Sequence, residues 1–204
     1  MEHLPQSAAG GVLSLYTAFE KQHGDRAGVE ALVLGQRRVA YEAAVRAAPA
    51  SYDAWFDYAR LEEEAGDVDR CREVYERAVA AVPPAAEKAA WRRYIYLWLR
   101  YALFEELDAG EPARARAVYA AALRLVPHAA FSFSKLWIMA AQAALRQRDL
   151  AGARALLGEA IGRAPKTKLF AFYIDMELQL GAVDRCRTLY QKWLEWCAQW
   201  LRSA

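Results

Sequence analysis

Large apolar side chains recur at three- and four-residue intervals along almost the whole chain, and no segment alternates apolar and polar positions as a half-buried strand would. Helices are therefore predicted throughout. A longer period lies over the helical one. Tyr41, Tyr75 and Tyr119 each stand eight residues before a proline, Pro49, Pro83 and Pro127. Leu157 keeps that interval to Pro165, and Tyr190 opens a fifth copy with Ala198 in the proline position. Three residues before each anchor comes an arginine: Arg38, Arg72, Arg116, Arg154 and Arg187. Three residues after it come Ala44, Ala78, Ala122 and Ala160, with Trp193 in the last copy. Twenty or 21 residues before an anchor stand Trp55, Trp98, Trp137 and Phe170. Three positions beyond these lie Tyr58, Tyr101, Ala140 and Tyr173, and seven beyond them Glu62, Glu105, Ala144 and Glu177.

Each copy reads as two antiparallel helices. The first carries W-x-x-Y-x-x-x-E, which sets two aromatics and a glutamate along one side. The second carries R-x-x-Y-x-x-A, whose small residue lets a neighbouring backbone approach, and the closing proline ends it. Gly66-Asp67 supplies a helix stop and an N-cap, Gly110-Glu111-Pro112 sets proline in a first turn, and Asp149 and Gly181 mark similar junctions. Helix pairs are expected at 53–81, 87–125, 131–163 and 167–197, after a less regular pair at 11–48. In that first pair, containing Tyr16 and Glu20, the stretch GDRAGVEALVLG is expected to form a longer connection. The organisation predicted is a disordered segment at 1–10, a degenerate repeat at 11–49, repeats at 50–83, 84–127, 128–165 and 166–197, and a divergent tail at 198–204. One such unit cannot bury its own apolar side, whereas stacked units bury it against each other. The fold class is all-α: an α-solenoid of antiparallel helix pairs forming a superhelix.

Composition narrows the chemistry. Hydrophobic residues make up 56% of the 204, yet no apolar run reaches the roughly 18–20 residues of a membrane span. The richest stretch, Tyr94 to Leu107, is broken by Arg100, Glu105 and Glu106. The start, MEHLPQSAAGGVL, lacks the features of a secretory signal. A net charge of +2, from 27 basic and 25 acidic side chains, does not suit a dedicated nucleic-acid binder. Cys71, Cys186 and Cys197 are too far apart for a CxxC metal clip, and Cys71 and Cys186 share one repeat position that Ala115 and Ala153 fill elsewhere. A small buried residue is the reading there. His3, His23 and His128 read as surface side chains with no ligand partner in sequence, and Glu62-Glu63-Glu64 as helical neighbours that diverge in direction. No catalytic residue, cofactor, metal or small-molecule substrate is expected.

Recurrence of arginine and glutamate suggests ion pairs that fix the register between helices, with Glu62 and Arg72, and Glu105 and Arg116, as candidates. In WRRYIYLWLRY, Trp98 and Tyr101 are core positions, while Trp91, Tyr94 and Tyr96 exceed the template. Arg92 and Arg93 there are candidates to touch RNA or an acidic partner helix. Trp193, Trp196, Trp200 and Leu201 lie at helical spacing, as a docking face for a further repeat would.

The alternation is best preserved in AWFDYARLEEEAGDVDRCREVYERAVAAVP, which resembles the HAT (half-a-TPR) repeat. GDRAGVEALVLGQRRVAYEAAVRAAPASYDAWFDYARLEE, WRRYIYLWLRYALFEELDAGEPARARAVYAAALRLVPH and KLFAFYIDMELQLGAVDRCRTLYQKWLE resemble the crooked-neck family of splicing factors, from about residue 15 to 196. That resemblance implies a non-enzymatic, nuclear scaffold of the NineTeen-associated complex, which supports spliceosome assembly and activation. Its partners would be proteins of that complex, with RNA contact secondary and no membrane. Scaffolding of another RNA-processing complex, in mRNA 3′-end cleavage or rRNA maturation, and direct RNA binding are the alternatives. Because family members carry many more repeats, the chain is expected to be a fragment. Location in the nucleus rests on the resemblance, since no basic import cluster is present.

Overall fold

The computed structural model describes residues 6–84, 87–128 and 130–203, and every element among them is helical. The chain divides into two compact units, residues 1–81 and 82–204. The first unit holds α1 (Gln6–His23), α2 (Arg26–Ala47), α3 (Tyr52–Ala65) and α4 (Val68–Ala80). The second holds α5 (Lys88–Leu103), which runs on into a π-helical turn at Phe104–Asp108. After it come α6 (Pro112–Leu125), α7 (Ser134–Arg146), α8 (Leu150–Arg163), α9 (Thr167–Gln179) and α10 (Val183–Ser203). Within each unit every helix packs on the next in sequence, and in the second α5 also touches α7 and α7 touches α9. This is the stacking of an α-solenoid, in which each helix pair buries its apolar side on its neighbours.

Local chemistry explains where the helices begin and end. Three of the second helices start on an aspartate whose carboxylate accepts an N–H of the first turn: Asp25 from Gly28 at 2.8 Å, Asp67 from Arg70 at 3.1 Å and Asp149 from Gly152 at 2.8 Å. Pro112 opens α6 at a position where its missing N–H costs nothing. Between the helices of a pair the backbone turns through the left-handed region, with φ of 75° at Gly66, 69° at Gly110 and 71° at Gly181. Arg148 takes the same turn between α7 and α8 with φ of 60°, the one positive φ at a non-glycine residue among those described. The turns close with long-range carbonyl bonds, Asp149 N–H to Ala144 O and Ala182 N–H to Glu177 O, both at 2.9 Å.

Three expectations need correction. GDRAGVEALVLG is not a connection. Asp25 caps α2 so firmly that the helix starts at Arg26 and carries Gly28 and Gly35 in its length. The segment 1–10 does not stay outside the fold: residues 1–5 lie outside those described, but α1 begins at Gln6, where Ser-Ala-Ala favours helix once Pro5 is passed. At the other end, α10 continues through the 198–204 segment to Ser203 because neither glycine nor proline interrupts it.

One further feature follows from counting. Trp98 precedes its anchor Tyr119 by 21 residues, where the other three copies have 20. The extra residue is absorbed by the π turn, in which Ala109 N–H bonds Phe104 O at 2.9 Å and Glu111 N–H reaches Glu105 O at 2.7 Å. The helix is thereby lengthened without rotating Trp98 or Tyr101 off the core.

Arg148 stands where its three counterparts are glycine, and an L side chain with φ near +60° costs on the order of 1 kcal/mol. Arg148→Gly is expected to raise the thermal midpoint by a few degrees, since the side chain is exposed and makes no ion pair among the described residues. Calorimetry or a circular-dichroism melt reads this directly, and an unchanged or lower midpoint would show that the turn is not strained.

Candidate functional site

Three charged side chains are buried among the described residues: Glu62, Glu105 and Glu177, each at 0% exposure. They are the repeat glutamates. A carboxylate without water requires a cation and hydrogen bonds, or it would destabilise the fold by several kcal/mol. Glu62 on α3 receives the guanidinium of Arg38 on α2, Nε to Oε1 at 2.8 Å and Nη2 to Oε2 at 2.6 Å. Glu177 on α9 receives Arg154 on α8 in the same two-pronged geometry, at 2.8 and 2.7 Å. In both cases the arginine belongs to the second helix of one repeat and the glutamate to the first helix of the next.

This corrects the pairings expected from sequence. Glu62 is held by Arg38, not Arg72, which lies 3.7 Å from Asp69. Arg116 does not pair with Glu105. Its repeat faces α7, where the glutamate position is Ala144, and the guanidinium turns instead to the Gln147 side chain and to Asp149 at 3.7 Å. Glu105 accepts Arg114 Nε at 3.2 Å from within its own pair. The motif arginine therefore reaches forward along the array, a direction that spacing alone does not encode.

A second set of forks joins the repeats. Arg77 on α4 grips Glu42 on α2, Nη1 to Oε1 at 2.7 Å and Nη2 to Oε2 at 2.9 Å, and the Tyr58 hydroxyl donates to Glu42 at 2.9 Å. Arg77 and these bonds hold the Glu42 carboxyl down at about 2, and burial beside that carboxylate pushes the Tyr58 hydroxyl well up. In the second unit Arg146 on α7 grips Glu106 in the π turn at 2.6 and 2.7 Å. Sequence reasoning missed both forks. Glu42 and Arg77 were nevertheless visible as the E and R beside the anchors in AYEAA and VYERA.

The remaining repeat-defining positions fall in three groups. Trp55, Tyr58, Tyr75, Ala78, Pro83, Trp98, Tyr101, Tyr119, Ala122, Trp137, Ala160, Phe170 and Tyr173 are buried, and Arg72, Pro127, Arg154 and Pro165 are half-buried. Arg116, Arg187 and Tyr190 are exposed, Arg187 pairing only with Asp184 of its own helix at 2.8 Å. The Trp55 indole donates to Pro49 O at 2.9 Å, and Trp91 repeats the device on Pro84 O at 3.1 Å. Trp91 and Tyr94 are thus core, edge-on to each other, with Tyr94 also edge-on to Trp98, whereas Arg92, Arg93 and Tyr96 face solvent. Cys71 and Cys186 are buried. Trp193 and Trp196 stack on Phe170 with ring centroids 5.6 and 5.8 Å away, Leu194 and Leu201 are exposed, and the Trp200 side chain lies outside those described. No group of three or more His, Cys, Asp or Glu able to hold a metal occurs among the described residues, and no described helix is long and apolar enough to cross a membrane.

The profile of the "Pre-mRNA-splicing factor Syf1/CNRKL1 N-terminal HAT repeat" matches residues 37–199. The chain belongs to this HAT-repeat family. It is 54% identical to the pre-mRNA-splicing factor clf1 of Aspergillus fumigatus over 96% of its own length and 29% of that protein's. It is 50% identical to the crooked neck-like protein 1 of Homo sapiens and to the pre-mRNA-splicing factor cwf4 of Schizosaccharomyces pombe. Both alignments cover all of this chain, and 24% and 31% of those proteins. The chain thus spans about three tenths or less of the length of these relatives. The buried glutamates and their arginine forks are the physical content of the HAT pattern in this member.

His128 is not the surface side chain expected from sequence. Its ring packs on Trp137, centroids 5.2 Å apart, and its Nε2 lies 2.9 Å from Leu123 O, while Nδ1 is buried with no partner among the described residues. A proton on Nδ1 would have no acceptor, and burial lowers the pKa of this imidazole. The unfolded chain therefore takes up that proton first. The stability His128 supplies is full above the unfolded value of about 6.5 and is lost as the pH falls below it. Urea titrations between neutral and mildly acidic pH should show a smaller loss of stability for His128→Phe than for the native chain. Equal losses would mean that the ring is solvated.

Proposed function

We propose that this chain is a non-enzymatic, protein-binding scaffold of pre-mRNA splicing, acting in the nucleus within the NineTeen-associated complex. The observation that carries this reading is identity of 54% and 50%, along essentially the whole chain, to two proteins named as pre-mRNA-splicing factors, clf1 and cwf4. The physical organisation supports it. The motif glutamates Glu62 and Glu177 are engaged in holding one helix pair to the next, which leaves long helix faces for partners. Solenoids of this kind bind through extended surfaces instead of pockets built around one reacting atom. A modest net charge of +2 also favours protein partners over a nucleic acid.

The test is affinity purification of the tagged chain from nuclei under mild salt, with mass spectrometry of what is retained. Recovery of spliceosomal proteins, those of the NineTeen-associated complex foremost, is the expected result. Retention of 3′-end cleavage or rRNA-maturation factors, or of neither class, would overturn the assignment.

A further inference from the structure

In the second unit the first helices of three repeats share a surface that the packing does not use. On α5, Lys88, Arg92 and Tyr96 recur four residues apart and form one exposed stripe. Tyr96 stands two residues before Trp98, and the equivalent positions before Trp137 and Phe170 are Lys135 and Lys168. Repetition thus brings residues far apart in sequence into one ladder. Together they border a groove of about 500 Å³ whose floor is aliphatic, made by Ile95, Leu99 and Ile138.

The groove has four cations, Lys88, Arg92, Lys135 and Lys168, and no carboxylate in its lining. None of the four has an ion pair among the described residues, whereas Arg38, Arg77, Arg146 and Arg154 are all forked onto glutamates. Nor do they serve the helices they sit on. Lys88, Lys135 and Lys168 occupy the first turns of α5, α7 and α9, next to the positive end of the helix dipole, where a cation is unfavourable. At the repeat position of Lys135 and Lys168, α3 of the first unit carries the acidic Asp53, which suits that end of the helix. Charge placed against the local field, unpaired and repeated, is charge kept for something outside the chain.

We propose that this groove docks an acidic, amphipathic segment of a partner protein. Its carboxylates would lie along the lysine–arginine ladder, and its aliphatic or aromatic side chains would enter the Ile95–Leu99–Ile138 floor. A single-stranded RNA fits less well. The floor offers phosphates nothing, and the exposed aromatic is already covered, with Lys135 Nζ 4.5 Å from the centre of the Tyr96 ring. The inference gives the partner chemistry for the scaffold reading above and rests on it.

The experiment selects random peptides from a displayed library on the immobilised full chain, then measures the enriched peptides and an oligo-uridine by fluorescence anisotropy. The comparison chains are Lys135→Glu/Lys168→Glu, whose sites are both exposed, and Arg124→Glu/Lys192→Glu, at exposed sites on α6 and α10 outside the groove, as a charge-matched control. Melting curves verify that all are folded. Enriched peptides rich in Asp and Glu with interspersed Leu, Ile or Phe are expected. They should bind about tenfold or more weaker to the double variant, unchanged to the control, and weaker in high salt. No enrichment, enrichment of non-acidic peptides, or equal binding to the double variant would overturn the proposal. So would oligo-uridine binding that is tighter than the peptides' and lost in the same variant, which would make the groove an RNA site. Because the isolated chain is used, failure here leaves recovery of splicing proteins from nuclei untouched, and the two readings fail separately.

Discussion

Glu62 and Glu177 are cut off from water, and in each case an arginine from the preceding helix pair meets both carboxylate oxygens. That pairing constrains everything else in the stack. Apolar faces attract without direction, so two helix pairs held by leucine, alanine and tryptophan alone could slide past each other by a turn. A guanidinium fork has one productive geometry, and displacing it strands a buried charge. The net contribution of such a pair to stability is small, because both groups give up hydration to form it. Its value is in what it forbids. The outer forks, Arg77 on Glu42 and Arg146 on Glu106, repeat the principle at less buried positions.

The helix pair α7–α8 shows the rule by its exception. Ala140 and Ala144 replace the tyrosine and glutamate of the motif, and Ala141, Ala144, Ala153 and Leu157 close into one apolar cluster with Tyr173 and Ile174. With no carboxylate to receive it, Arg116 is left exposed at the edge, bonded to Gln147 and Asp149. Removing the acid moves the arginine; the helices stay packed on each other.

Much of this was legible in the sequence, because a repeat announces itself through intervals. The anchors at Tyr75, Tyr119 and Leu157, the glycine turns and the proline stops place α3 to α9 within a few residues, whereas α10 runs past its expected end. The interval of 21 among intervals of 20 showed one extra residue in that repeat, but not whether the helix or the turn after it would absorb it. The arginine partners were not legible. Spacing places Arg38 and Arg72 at equal standing to Glu62, and only the stacking direction decides between them. The start of α2 was hidden by glycines that a strong aspartate cap overrides, and the burial of His128 by its position in a turn. The basic ladder was half visible, through Arg92. Its alignment with Lys135 and Lys168 needs the helices laid side by side.

On the scaffold reading proposed above, the fixed register is the property that matters most, since a scaffold must present its faces at set spacings. The most direct test is a double-mutant cycle on Arg38 and Glu62, read by urea unfolding of the native chain, Arg38→Met, Glu62→Leu and the combination. A buried carboxylate left alone should make Arg38→Met lose roughly 3 kcal/mol, and the double variant should recover most of that loss. Simple additivity of the two single losses would contradict the account, because Arg38 and Glu62 would then be neighbours that do not depend on each other.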